Sequence, residues 1–402
     1  MKIVAMTLRY PPYTVGGYEL LTEDAVEGLR ARGHEVTVLC GMGKDFPGED
    51  HRPRFSPGLD TDLELYDWDR SLPAPGRFAN HFFKWTNYAV ARNVLRRIRP
   101  DLVIYFNMGL VSLGPLLAAR RSGVPSIGYV CDPWVENHLL REMADKPNKR
   151  GRRAVLGLVW KALRRLAAMP PIYTASDWLR DRLLADGWAP DEVTVLPTGL
   201  SPQMDALAQD AVPAERAPGA PLELICTSML WGGKGQHVLV EAFGRAVAEG
   251  LDARLTLAGK EPQGEEYVKH LQWLASEAGV TDRVDFVGML SPAELSERLS
   301  ASHVFCLPSI WGEPFGLATI EAMAHGICTV VSDSGASPGL VADAGVVVET
   351  ENVADLARVL LELGGDEPRR LALAHAARER ALATFGREVF LDALEGYAEA
   401  AV

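Results

Sequence analysis

Cysteine, net positive charge and long apolar runs are all scarce in this 402-residue chain, and each scarcity removes a class of protein. Only five cysteines occur, Cys40, Cys131, Cys226, Cys306 and Cys328, an odd number with no CxxC pair, which argues against a disulfide framework. Most sit in or at the end of strand-like stretches such as "EVTVLC" and "HVFCLP", as expected of reduced core thiols in a cytoplasmic protein. The opening "MKIVAMTLRYPP" has one lysine and an apolar run too short for a signal peptide or a membrane span, so no targeting segment is expected. Lys and Arg total 41 against 53 Asp and Glu, a formal charge of -12, so no broad grip on nucleic acid is expected.

What is present is ordinary globular composition, 48% hydrophobic and 23% charged, in a chain too long for one core. "KIVAMT" reads as a buried strand and is followed by the loop "LRYPPYTVGG". A helix with Leu21, Ala25 and Leu29 on one face stops at Gly33, before the strand "EVTVLC". "DLVIYF", "PSIGYVCD", "PIYTAS" and "EVTVLPTG" continue the alternation, which implies a parallel sheet covered on both faces. "DAVPAERAPGAP", residues 210–221, is rich in Ala and Pro without apolar period and reads as a linker. The theme then restarts with "LELICTSM", "ARLTLAG", "RVDFVGM", "HVFCLPS", "CTVVSD" and "AGVVVE". The expectation is an α/β chain of two Rossmann-like domains, residues 1–209 and 222–386. The final helix, about 387–402, is expected to leave the second domain at Phe385-Gly386 and pack back onto the first.

Open parallel sheets bind ligands beyond the carboxyl ends of their strands, so the loops there carry most weight. In "LPSIWGEPFGLATIEAMA", Pro314 biases Glu313 towards extended backbone and a helix begins near Gly316. The amides of Phe315, Gly316 and Leu317 are then first-turn donors at the positive end of a helix, a seat for phosphate. Glu321, about one turn on, can accept hydrogen bonds from paired hydroxyls; the bland alternative is a helix start followed by an exposed glutamate. "SMLWGGKGQH" places Lys234 among Gly232, Gly233 and Gly235, which suits a diphosphate, the alternative being a solvated surface turn. No Ser or Thr follows the lysine, so a Walker A loop is excluded. "YTVGGYE" offers Gly16 and Gly17 but no GxGxxG, and the next strand ends at Cys40 rather than an acid, which disfavours a nicotinamide dehydrogenase. Gly16 and Gly17 can still let backbone touch a sugar or phosphate.

Taken in order, "RYPPYTVGGYELLTEDAVEGLRARGHEVTVL", "GGKG", "VDFVGMLSPAEL" and "EPFGLATIEAMAHG" resemble the family 4 glycosyltransferases of the GT-B fold, over nearly the whole chain. The resemblance implies two Rossmann-like domains whose parallel sheets face across a cleft. It implies a retaining, metal-independent enzyme that moves a sugar from a nucleotide diphosphate sugar to an acceptor hydroxyl, with no cofactor beyond the donor. By position, Glu313 would hold donor-sugar hydroxyls near the reacting carbon and Glu321 the ribose. Lys234 with the amides of Phe315, Gly316 and Leu317 would bind the leaving diphosphate, and Gly16 and Gly17 would line the donor. A two-carboxylate glycosidase needs both acids flanking one bond, which a loop Glu and a helix Glu beside phosphate donors fit poorly.

Three positions depart from the family pattern. Met229 stands where an arginine is usual, with Arg9 and Lys260 as substitute cations; Cys131 stands where a histidine is frequent, and Gly339 where a glutamate is common. Asp132 or His138 is then expected to take the histidine's role, with Asp132 as the catalytic choice and Trp134 and His138 expected at the acceptor. These departures motivate an alternative, a catalytically impaired nucleotide-sugar-binding subunit. Phe55, Tyr66, Trp68, Phe78, Phe82, Phe83 and Trp85 are expected mostly in the core, with a minority lining a small-molecule or glycan acceptor site. "RRAVLGLVWKALRRLAAM" is amphipathic, and packing of its apolar arc on the sheet is favoured over contact with a membrane.

Overall fold

Runs of β-branched and aliphatic residues build two sheets in which every pairing is parallel. The computed structural model describes residues 1–11, 17–42, 59–64, 83–109, 111–132, 154, 158, 162, 169–185, 193–261 and 265–402. The first sheet comprises β1 (Lys2–Met6), β2 (Glu35–Met42), β3 (Leu59–Glu64), β4 (Leu102–Tyr105), β5 (Ser126–Val130), β6 (Ile172–Thr174) and β7 (Val193–Val195), in the order β3-β2-β1-β4-β5-β6-β7. The second comprises β8 (Leu222–Thr227), β9 (Ala253–Ala258), β10 (Val284–Gly288), β11 (Val304–Leu307), β12 (Cys328–Ser332) and β13 (Val346–Val348), in the order β10-β9-β8-β11-β12-β13. Each sheet runs outward in both directions from its first strand, so the loops after β1 and β4, and after β8 and β11, diverge and leave a crevice between them.

The chain divides into two compact units, Met1–Pro197 with Phe390–Val402, and Thr198–Val389. Residues 210–221, read above as a linker, belong to the second unit, and the division falls earlier. Met204, on the Ser201-capped helix Pro202–Ala208, enters the second core. Arg216 then anchors the Ala- and Pro-rich segment: its amide donates to Glu367 (2.8 Å), and its guanidinium donates to the carbonyls of Ala220 (2.6 Å) and Asp252 (3.2 Å). A cation meeting carbonyls helps to hold this stretch, which has no apolar period.

The helix Glu367–Phe385 ends at Gly386, and Arg387–Ala400 follows. Phe390, Leu391, Leu394 and Ala398 from this last helix join the first unit's core with Leu21, Ala25, Val26 and Leu29. Each large apolar side chain so buried contributes about 2 kcal/mol. Gly28 leaves room there for the Leu391 side chain, which a Cβ would push aside. At the rim, Arg32 pairs with Asp392 (2.7 Å) and Glu395 (2.8 Å), and Tyr173 stacks on Tyr397 at 4.2 Å.

No helix among the described residues is long and apolar enough to cross a membrane. Of the amphipathic stretch, residues 154, 158 and 162 are described, and Leu158 is exposed rather than packed as its apolar arc led us to expect. The rest of that stretch lies outside the described residues, as do Phe55, Tyr66, Trp68, Phe78 and Phe82. Trp85, one of the aromatics expected mostly in the core, is 71% exposed, and meets Phe83 and Tyr88 edge to face at the start of the helix Trp85–Ile98.

Candidate active site

The loops after β8 and β11 meet at one peptide. The carbonyl of Gly233 accepts from the amides of Ile310 (2.9 Å) and Trp311 (2.8 Å) and from the Ser309 hydroxyl (3.1 Å). Two consecutive amides converging on one oxygen form a nest, here filled by protein rather than by an anion. Two glycines make this approach possible. Gly235 has φ +72° and presses against the Pro308 carbonyl, which a Cβ would overlap; Gly335, φ +64°, lies equally close to the Glu313 amide. The loop after β12 closes the assembly, Ala336 donating its amide to the Glu313 carbonyl (2.8 Å) and Ser332 its hydroxyl to the Ser309 carbonyl (2.6 Å).

Inside this frame Lys234 and Glu313 form an ion pair, their side chains only 14% and 8% exposed. Ser309 donates to the same Glu313 oxygen at 2.8 Å. The sequence suggested separate tasks for the two charges; the structure joins them. An ammonium has three donors, so the pairing leaves others for a ligand. The lysine loop is braced from below by Gln236, fully buried, whose amide nitrogen donates to the Ser228 hydroxyl (2.8 Å) and the Met229 carbonyl (3.0 Å). Tyr267 donates to the Gln236 oxygen at 3.3 Å and so fixes the amide's orientation. Met229 is exposed, and Leu230 beside it donates its amide to the Lys260 carbonyl (2.9 Å), which brings Lys260, a suggested substitute cation, to the next loop.

The helix Leu317–Ala324 starts at Gly316, whose φ of 135° suits glycine, and no side chain caps it. The amides of Phe315, Gly316 and Leu317 have no partner among the described residues. The Phe315 ring is buried and meets Phe385 edge to face at 5.8 Å, which anchors the turn. Glu321 lies in the helix's second turn, and burial pushes its carboxyl up to about 7. The far end of the helix is pinned by His325, whose Nδ1 donates to the Glu321 carbonyl (2.7 Å) and whose Nε2 accepts from Ser296 (2.9 Å). Burial lowers this imidazole's pKa and keeps it neutral in that role.

In the first unit the carboxyl ends of β4 and β5 carry Asn107 and Asp132. Asn107 donates its amide to Asp132 at 3.1 Å, and its own oxygen accepts from the Gly109 amide at 2.9 Å. Gly17 opens the helix Gly17–Ala31, and the next residue, Tyr18, ties that helix to β5 by donating to the Tyr129 carbonyl (2.7 Å) and accepting from the Cys131 amide (3.3 Å). Burial, with Cys131 and Asp132 nearby, holds the Tyr18 hydroxyl well above the usual tyrosine range, so it stays a neutral donor. Gly16, Trp134 and His138 lie outside the described residues. Sequence reading missed Ser309, Gln236, Gly335 and Asn107. Of these, Ser309 carried a signal, a hydroxyl on the same short loop as Glu313.

Comparison with known proteins gives a consistent result. A family model described as "Glycosyltransferase Family 4" matches residues 15–203, and one described as "Glycosyl transferases group 1" matches residues 212–380. A D-inositol 3-phosphate glycosyltransferase of Stackebrandtia nassauensis is 31% identical over 310 residues, covering 74% of this chain and 68% of the relative. A glycogen synthase of Mycobacterium tuberculosis is 27% identical, covering 96% of this chain and 91% of its own. Among solved structures, a glycosyltransferase from Rickettsia africae superposes with TM-score 0.73 at 14% identity, over 100% of this chain and 98% of that one. Anabaena HepE, solved with UDP and glucose, gives 0.68 at 20% identity over 100% of both chains.

Proposed function

This chain belongs to the family 4 glycosyltransferases, and we propose that it moves a sugar from a nucleotide diphosphate sugar to an acceptor hydroxyl with retention of configuration and without a metal ion. The observation that carries the reading is the buried Lys234–Glu313 pair set before the uncapped helix Leu317–Ala324 at the second sheet's crevice. As the bond to the anomeric carbon breaks, the diphosphate gains negative charge. Lys234 and the amides of Phe315, Gly316 and Leu317 meet that charge from fixed positions, the arrangement that stabilises a transition state most. Glu313, oriented by Ser309, accepts from hydroxyls of the transferred sugar, and Glu321 accepts from the ribose diol. No protein carboxylate need act as base, since the departing diphosphate oxygen can take the acceptor's proton.

In this reading transfer takes place in the cleft between the two domains, and the first domain holds the acceptor. Asp132 replaces the family's usual histidine there, held by Asn107, with Gly17 close to the donor. Trp134 and His138 are proposed acceptor contacts on the segment that follows. The test is a thermal-shift screen against the diphosphates of uridine, guanosine, adenosine and thymidine, each with and without a sugar, followed by an assay of diphosphate release. Stabilisation by one base series with turnover supports the reading. Binding without turnover over a panel of acceptors supports the impaired subunit instead, and no binding at all rejects both.

A further inference from the structure

We propose that Trp231 and Trp311 form an apolar wall against which the C–H face of the transferred sugar packs, an assignment that rests on the nucleotide-sugar reading above. Neither residue has a role in the diphosphate or ribose contacts just described. Trp231 lies in extended backbone (φ -155°, ψ 156°) just before the turn Gly232–Lys234, and its indole lies across Gly233 so closely that a Cβ there would overlap the ring. Trp311 stands two residues before Glu313, and its amide is one of those held by the Gly233 carbonyl. Both rings are therefore fixed to the same peptide, with centroids 6.2 Å apart and planes tilted by 59°.

The pair is costly for a protein that has no use for it. Trp311 is 46% exposed, two residues from the ion-paired Glu313. The Trp231 indole nitrogen is closed to solvent without a hydrogen-bond partner among the described residues, so a ring shift that brings it to a ligand hydroxyl breaks no existing bond. An amphipathic ligand resolves both. A pyranose offers hydroxyls to a carboxylate that only accepts, here Glu313, and at the same time an apolar face to aromatic rings. A flat nucleobase can also stack on tryptophan but brings no hydroxyls for Glu313, which lies two residues from one ring and shares Lys234 with the other ring's loop.

Calorimetric titration of the wild type, Trp311→Ala and Trp311→Phe with UDP-glucose and UDP, GDP-mannose and GDP, and ADP-glucose and ADP separates the cases. We expect Trp311→Ala to weaken the sugar nucleotide roughly tenfold, to leave the matching diphosphate within about twofold, and Trp311→Phe to recover most of the loss. Trp231→Phe keeps a ring over Gly233 but removes the indole nitrogen, and is expected to weaken the sugar nucleotide by roughly threefold with the diphosphate unchanged. Equal loss for sugar nucleotide and diphosphate overturns the proposal in favour of base stacking or loop support. No loss for either, or a change confined to the acceptor KM, also overturns it. A wild type that binds none of the six compounds is titrated with TDP-glucose and TDP, and failure there too rejects the transferase reading and this wall with it, whereas a binding wild type with unaffected variants rejects the wall alone.

Discussion

Three loops at the second sheet's crevice are riveted through one peptide carbonyl and two left-handed glycines, whereas at the first sheet's crevice the backbone bonds from Leu8 to Asn107 and from Gly41 to Leu8 are supplemented by side chains, Tyr18 and Asn107, that reach across to backbone and to Asp132. Rivets made of backbone hold groups to within fractions of an ångström and cannot be altered without disturbing the fold. Links made of side chains can be exchanged one at a time. The difference teaches that the groups proposed for the donor, in the second unit, are set mainly by backbone, while Asp132 in the first unit is reached by a side chain that can be exchanged. If that contrast is right, changes in the second unit should cost stability and turnover together, and changes in the first should cost turnover alone.

The largest expected effect comes from Lys234→Met. It leaves the Glu313 carboxylate buried without its cation, so urea unfolding should show a loss of about 3 kcal/mol. Turnover, followed by diphosphate release, should fall on the order of a thousandfold. Adding Glu313→Gln should restore most of the stability and none of the activity; a double variant as unstable as the single one would break the idea that the pair is one unit.

Glu313→Ala comes next, with turnover reduced on the order of a hundredfold and diphosphate affinity nearly kept. Equal losses in both quantities would merge the sugar and phosphate roles that we separate.

Glu321 supplies a pH test. Its carboxyl sits at about 7 because of burial, and only the ionised form accepts from both ribose hydroxyls. Affinity for a nucleotide sugar, whose phosphates do not titrate in this range, should therefore rise about tenfold between about pH 6 and pH 8, and the rise should vanish in Glu321→Gln. A flat profile in the wild type would remove Glu321 from the ribose.

The smallest effect on the fold is expected from Asp132→Asn in the first unit. Transfer should slow by about tenfold, while unfolding free energy changes by less than about 0.5 kcal/mol and donor affinity is unchanged. A stability loss approaching that of Lys234→Met would abolish the contrast between the two crevices.

The strand and helix alternation, the glycine-flanked lysine and the Glu-Pro-Phe-Gly turn were legible in the sequence because each is written within a few consecutive residues. The helix start, its uncapped first turn and the place of the second glutamate follow from Pro314, Gly316 and the spacing to Glu321. The pairing of Lys234 with Glu313 was not legible, since the partners are 79 residues apart and only the sheet order brings their loops together. The role of Gly335 was hidden for the same reason: its left-handed backbone serves a neighbour, Glu313, from another loop. Residues 210–221 read as a linker because apolar period is blind to contacts such as those of the Arg216 guanidinium with carbonyls.

The helix Arg387–Ala400 carries a consequence for how the protein is made. Phe390, Leu391 and Leu394 fill the same core as Leu21, Ala25 and Leu29, yet the whole of Thr198–Val389 is translated between them. The early half of the chain therefore leaves the ribosome with an apolar groove beside Gly28 still open, and must wait through synthesis of the second unit before its own core can close. The second unit, contiguous in the chain, has no such delay, so the part made later can be the first to finish folding.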